Sequence, residues 1–123
     1  MIIQSKKVWI ADQFMEAQIE IKDGKIADVC GYGSKPADVD YGEARILPGF
    51  IDVHCHGAYG FDTNDAEEEG LRNWVANIVK EGVTALLPTT ITQSEEVLTN
   101  ALKNVAKVVR EGYTGAEILG VHF

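Results

Sequence analysis

The chain has 123 residues, with 11 Lys and Arg against 19 Asp and Glu, a net charge of −8. That length allows one ordinary domain or a piece of a larger one, and 46 % hydrophobic with 24 % charged residues excludes disorder driven by charge. The acidic balance also argues against a nucleic-acid or anionic-membrane binder, since both need a basic surface, but not against a small anionic substrate.

Up to Pro48 the pattern is that of a small β-rich module. Val8 and Ile10, then Ile19 and Ile21, recur at period two. Asp23-Gly24 separates the second run from Lys25-Ile26-Ala27-Asp28-Val29, the short-range signature of a β-hairpin. Gly31 to Pro36 reads as a loop, Ala44 to Leu47 as a further short strand, and Pro48-Gly49 ends it.

After Pro48, strands alternate with helices. Phe50 to His56 is predicted as a strand. Residues 66–81 are predicted as a helix with Leu71, Trp74, Val75, Ile78 and Val79 on one face, Asp65 and Glu68 as a capping pair, and Gly70 as a blemish. Val83 to Leu87 is a second strand. A helix from about Gln93 to Arg110 follows, with Thr92 and Glu95 as its capping box and Val97, Leu98, Ala101, Leu102, Val105, Val108 and Val109 on its apolar face. Ile118 to Phe123 is a third strand. The order β-α-β-α-β implies parallel strands joined by right-handed crossovers, an α/β fold.

No apolar run approaches the ~18 residues of a membrane span. Lys6 and Lys7 follow the first apolar residues rather than precede them, so the start does not read as a signal peptide. Cys30 and Cys55 are too few for a disulfide scaffold, and a reducing cytoplasm is the simplest compartment.

The chemistry concentrates in Asp52-Val53-His54-Cys55-His56-Gly57. Strand alternation puts His54 and His56 on one face with Asp52, and turns Ile51, Val53 and Cys55 the other way. The two histidine Cα atoms then lie ~6.6 Å apart, from a rise of about 3.3 Å per residue. Two imidazoles at that spacing can reach one Zn, Fe, Ni or Co ion at about 2.0–2.1 Å. The pair stands at the C-terminal end of a parallel strand, where α/β folds place active sites. Two buried histidines held by hydrogen bonds are the competing reading. H-x-H supplies two ligands where a catalytic zinc has three, so others must come from elsewhere. His122 is open between strand packing and the same interior face. Cys55 reads as a structural thiol, and Thr89 and Thr90 as capping or loop residues at the site mouth, with substrate contact as the lesser alternative.

The run Leu47-Pro48-Gly49-Phe50-Ile51-Asp52-Val53-His54-Cys55-His56-Gly57 resembles the P-G-x-I-D-x-H-x-H segment of the amidohydrolase superfamily. There it leads from a small β-sandwich into a metal-dependent (β/α)8 barrel. His56 to Asp62, Gly82 to Thr89 and Gly120 to Phe123 together are similar to the N-acetylglucosamine-6-phosphate deacetylase family. The resemblance implies residues 1–48 as the N-terminal part of the sandwich and residues 49–123 as the start of the barrel. It implies hydrolysis of a small amino-sugar phosphate, N-acetylglucosamine 6-phosphate, with a divalent cation activating water.

His54 and His56 carry over as ligands of one metal position. Some members lack the pair and use a single metal, so its presence favours a second or alternative position, one or two ions per complete protein. A homodimer is implied for the full-length protein. In the family the strand ending Gly-x-His-x continues with Glu-Gly-Pro, whose glutamate is a ligand. That glutamate, the catalytic aspartate and the phosphate-binding residues are therefore expected beyond Phe123. The expectation is an N-terminal part of a longer protein, inactive alone, since such a barrel needs ~250 residues. A cyclic amidase of the hydantoinase or dihydroorotase type, and a non-catalytic fragment whose histidines only pack, are the alternatives.

Overall fold

The computed structural model describes all 123 residues, in two compact units, Met1–Pro48 and Gly49–Phe123. In the first, β1 (Ile2–Ile10), β2 (Gln13–Lys22) and β3 (Lys25–Gly31) form an antiparallel meander. The short strands β4 (Val39–Asp40) and β5 (Arg45–Ile46) both pair parallel with β1. Asp23 and Gly24 have φ of 50° and 72°, as a two-residue turn with both central residues left-handed requires. The core of this unit is Val8, Ala17 and Ile19, with Ile3, Ile10, Ile21 and Ile46 packed around it.

Three polar side chains in this unit, Gln4, Ser5 and Gln18, are buried and hydrogen-bonded. Gln18 Nε2 donates to Gln4 Oε1 at 2.6 Å and to the Lys35 carbonyl at 2.7 Å, while its Oε1 accepts from Lys35 N at 2.9 Å. Ser5 stands at the irregularity where β1 slips register against β2. Its hydroxyl donates to the Ala44 carbonyl and accepts from Lys7 N at 2.9 Å, replacing bonds that the bulge removes from the ladder.

The second unit is a mixed α/β layer. Strands β6 (Phe50–Cys55), β7 (Val83–Pro88) and β8 (Glu117–Ile118) form a parallel sheet in that order, with α1 (Glu68–Ile78) and α2 (Glu95–Glu111) as the crossovers. Leu71, Trp74, Val75 and Ile78 of α1 meet Val105 and Val108 of α2, Leu86 of β7 and Ile118 of β8 in one core. Lys107 reaches Glu68 at 2.5 Å and Arg72 reaches Glu111 at 2.8 Å across the outer edge of the helix pair. Both pairs are exposed and contribute little.

Several boundaries differ from expectation. The Asp65–Glu68 capping pair does not form. Asp62 and Asp65 instead box a 3-10 turn over Thr63–Asp65, and the left-handed Ala66 (φ 56°) separates it from α1. The second helix is capped by Ser94, which accepts from Val97 N at 3.4 Å, rather than by Thr92. Leu102 and Val109, assigned to the apolar face, are 38 % and 46 % exposed. The third strand pairs only over Glu117–Ile118 and touches β7 again at an isolated bridge between Thr89 and His122. Gly70 also has a reason: the buried ring of Phe61 occupies the space that a Cβ there would take.

Candidate metal centre

The site is built on a fault in the β6–β7 ladder. Asp52 pairs with Leu86, but the next pair is Cys55 with Pro88, so the register slips between them. The side chain of Thr89 closes the gap. Cys55 N donates to Thr89 Oγ1 at 3.1 Å, Thr89 N donates to the Cys55 carbonyl at 2.9 Å, and Thr89 Oγ1 donates to the Leu87 carbonyl at 3.0 Å.

Beyond this fault Cys55 packs against the core under the helices, while the His54 and His56 rings come together. Their centroids are 5.1 Å apart and their planes perpendicular. His54 is exposed and His56 half-buried. His56 Nδ1 lies 3.1 Å from the Thr89 carbonyl oxygen. A carbonyl only accepts, so Nδ1 carries the proton and Nε2 keeps its lone pair, the state a metal ligand needs. The His56 carbonyl is gripped as well, accepting from Thr63 N at 2.7 Å and Thr63 Oγ1 at 2.8 Å. Asp52, on the same face by alternation, spends one carboxylate oxygen on His54 N at 3.0 Å.

His122 joins the pair. Its ring centroid is 4.7 Å from that of His54, at 80° between planes, and its Nδ1 is buried with no hydrogen-bond partner. The rings of His56, His54 and His122 thus form a row with His54 in the middle. Imidazole nitrogens are donors that suit a borderline divalent cation. Within these 123 residues, however, no three His, Cys, Asp or Glu side chains converge closely enough to hold an ion by themselves. His54 and His56 therefore fit as part of a coordination shell and do not complete one. One loop follows β6 and another follows β7. Asn64 joins them, donating from Nδ2 to the Ile91 carbonyl at 2.9 Å and accepting Ile91 N at Oδ1 at 3.0 Å.

The sequence pattern points to His54 and His56, leaves His122 open, and marks Thr89 as a capping or loop residue. The Thr89 contact to His56 is made by a main-chain oxygen, and no residue type signals that.

A parallel β-α-β-α-β unit that ends its first strand in H-x-H defines a class. The sequence profile described as "Amidohydrolase family" matches residues 45–123, and the chain belongs to that family. Particular relatives narrow the likeness. The chain is 39 % identical over 116 residues to an N-acetylglucosamine-6-phosphate deacetylase of Bacillus subtilis (strain 168), covering 85 % of this chain and 28 % of that protein. To the protein of the same name from Lysinibacillus sphaericus it is 37 % identical over 109 residues, covering 87 % and 28 %. A mutant N-acetyl-D-glucosamine-6-phosphate deacetylase from Mycobacterium smegmatis, solved in complex with N-acetyl-D-glucosamine-6-phosphate, superposes with a TM-score of 0.83 at 26 % identity. The match covers 96 % of this chain and 32 % of that one. The chain thus spans about 28 % of the length of the curated relatives it matches.

Proposed function

We propose that this chain is the N-terminal part of a metal-dependent hydrolase that removes the acetyl group from N-acetylglucosamine 6-phosphate, giving glucosamine 6-phosphate and acetate. In this reading residues 1–48 belong to a small β-sandwich and residues 49–123 begin a (β/α)8 barrel, whose chemistry sits at the C-terminal ends of its strands. The observation that carries it is the pair of imidazoles at the end of β6, 5.1 Å between centroids. The names of the relatives and the phosphosugar bound to the mycobacterial protein support the substrate class.

His54 and His56 hold a divalent cation of the Zn, Fe, Ni or Co class through ring nitrogens. When bound, such an ion lowers the pKa of a water and polarises the amide carbonyl. The Thr89 carbonyl keeps the His56 proton on Nδ1 and so leaves Nε2 free for the ion. Thr63 fixes the main chain of His56 from the other side. The group that passes a proton to the leaving amine belongs to a later strand, beyond Phe123.

The test is acetate release by the full-length protein from N-acetylglucosamine 6-phosphate with added divalent metal, beside a hydantoin as a cyclic amide. Acetate release that disappears with a chelator is expected. Ring opening of the hydantoin without acetate release would replace this reading by the cyclic-amidase one. Residues 1–123 alone are expected to release none, and robust turnover by them would overturn the division proposed here.

A further inference from the structure

We propose that Thr89 is the positioning residue of this site: its hydroxyl locks the end of β6 onto β7, so that its own carbonyl oxygen sets which nitrogen of His56 faces the cation. The inference rests on the proposed reading for the cation and on geometry alone for Thr89.

The register slip between Asp52 and Cys55 takes Cys55 N out of the regular ladder. Thr89 Oγ1 accepts that N–H and passes its own hydrogen to the Leu87 carbonyl, so both capacities of the hydroxyl are used within the strand pair. Thr89 is 2 % exposed, so its hydroxyl acts inside the strand pair rather than at the surface. With β6 tied at this point, the His56 ring lies over the Thr89 carbonyl and its Nδ1 is held as the donor. A neutral imidazole free in water prefers the opposite tautomer, with the proton on Nε2. Without the carbonyl, the nitrogen needed by a cation would therefore be mostly protonated. The same turn anchors the third histidine, since His122 N donates to the Pro88 carbonyl at 3.0 Å and Thr90 N to the His122 carbonyl at 3.2 Å.

Threonine to valine preserves shape and strand propensity but removes both hydroxyl bonds, whereas serine keeps both. The experiment uses the full-length protein in three forms, wild type, Thr89→Val and Thr89→Ser. Imidazole nitrogen shifts of the metal-free protein read the tautomer by NMR, and Co2+ titration followed by its visible ligand-field bands reads affinity. The wild type is expected to carry the His56 proton on Nδ1. Thr89→Val is expected to lose that preference and to bind Co2+ about ten- to a hundredfold more weakly, the usual effect of losing an outer-shell partner. Thr89→Ser is expected to restore both.

Co2+ binding by Thr89→Val as tight as wild type, or a loss in Thr89→Ser as large as in Thr89→Val, overturns the proposal. Should Thr89→Val not fold, a wild-type His56 protonated on Nε2 overturns it, and a proton on Nδ1 with normal binding by Thr89→Ser supports it. A wild type that binds no cation would sink the hydrolase reading instead, while the tautomer measurement would still judge Thr89.

Discussion

Gly70→Ala sets two effects of known size against each other. Gly70 lies inside α1, where replacing glycine by alanine in a helix gains about 0.5–1 kcal/mol. In this fold the added Cβ would run into Phe61 Cδ2 and lie 2.9 Å from its Cγ and 3.1 Å from its Cβ. Phe61 cannot swing aside cheaply: it is 6 % exposed and packs on Trp74, which is fully buried, at 6.1 Å between ring centroids. Overfilling such a core costs about 1–3 kcal/mol, so the packing penalty wins and Gly70→Ala destabilises by up to about 2 kcal/mol. In a Phe61→Ala background the obstacle is gone, and Gly70→Ala should stabilise by about 0.5–1 kcal/mol. Equilibrium urea unfolding of the four variants, followed by tryptophan fluorescence, measures both signs. Phe61 belongs to the loop through which Thr63 grips the His56 carbonyl, so the single substitution should also weaken cation binding. An equal gain in stability from Gly70→Ala in both backgrounds would refute the reasoning, because it would mean that the ring does not occupy that space.

Asn104 is 6 % exposed with both amide atoms lacking partners. Since each such group costs about 1–3 kcal/mol, Asn104→Leu should raise the urea midpoint by the equivalent of at least about 1 kcal/mol; a fall would show that the amide is satisfied. The carboxyl of Glu20 is held at about 2, against an ordinary 4.5, by the hydrogen bonds of Lys22 and Lys35. Its folded pKa lies below the unfolded one, so its stabilisation is complete above pH 4.5 and is lost as pH falls through about 2. An NMR titration should find that low midpoint, and Glu20→Gln should flatten the stability profile in that window; a midpoint near 4.5 would contradict the ion pairs. Asn64→Ala removes both bonds to Ile91 and should speed hydrogen exchange at the Ile91 amide roughly five- to tenfold, from about 1 kcal/mol for one bond. Asn64→Asp keeps the acceptor and should preserve most of the protection.

What could be foreseen depends on whether side-chain identity alone decides it. The spacing of Leu71, Trp74, Val75, Ile78 and Val79 predicts a buried helix face because only that face can leave water; the first four are buried, whereas Val79, in the 3-10 turn that ends the helix, is 39 % exposed. Helix starts are different. Asp62, Asp65, Thr92 and Ser94 are chemically equivalent caps, and the choice among them follows the left-handed turn at Ala66 and the course of the loop after β7. Strand β4, two residues long, carries no periodic signal. At the site, alternation alone is enough to bring His54 and His56 together. The approach of His122 to His54 depends on how two other strands are staggered, and the slip at Asp52–Cys55 has no marker in residue type. Gly70 looked like a defect in a helix because its reason, the ring of Phe61, comes from a loop nine residues earlier in the chain.

The role of His54 and His56 is decided by anomalous diffraction at the zinc edge from crystals of the full-length protein grown with zinc. A peak about 2.0–2.1 Å from a ring nitrogen of each histidine, absent from the His54→Ala/His56→Ala double variant, is the expected result. Zinc bound elsewhere with both rings free, or an unchanged peak in the double variant, would contradict it.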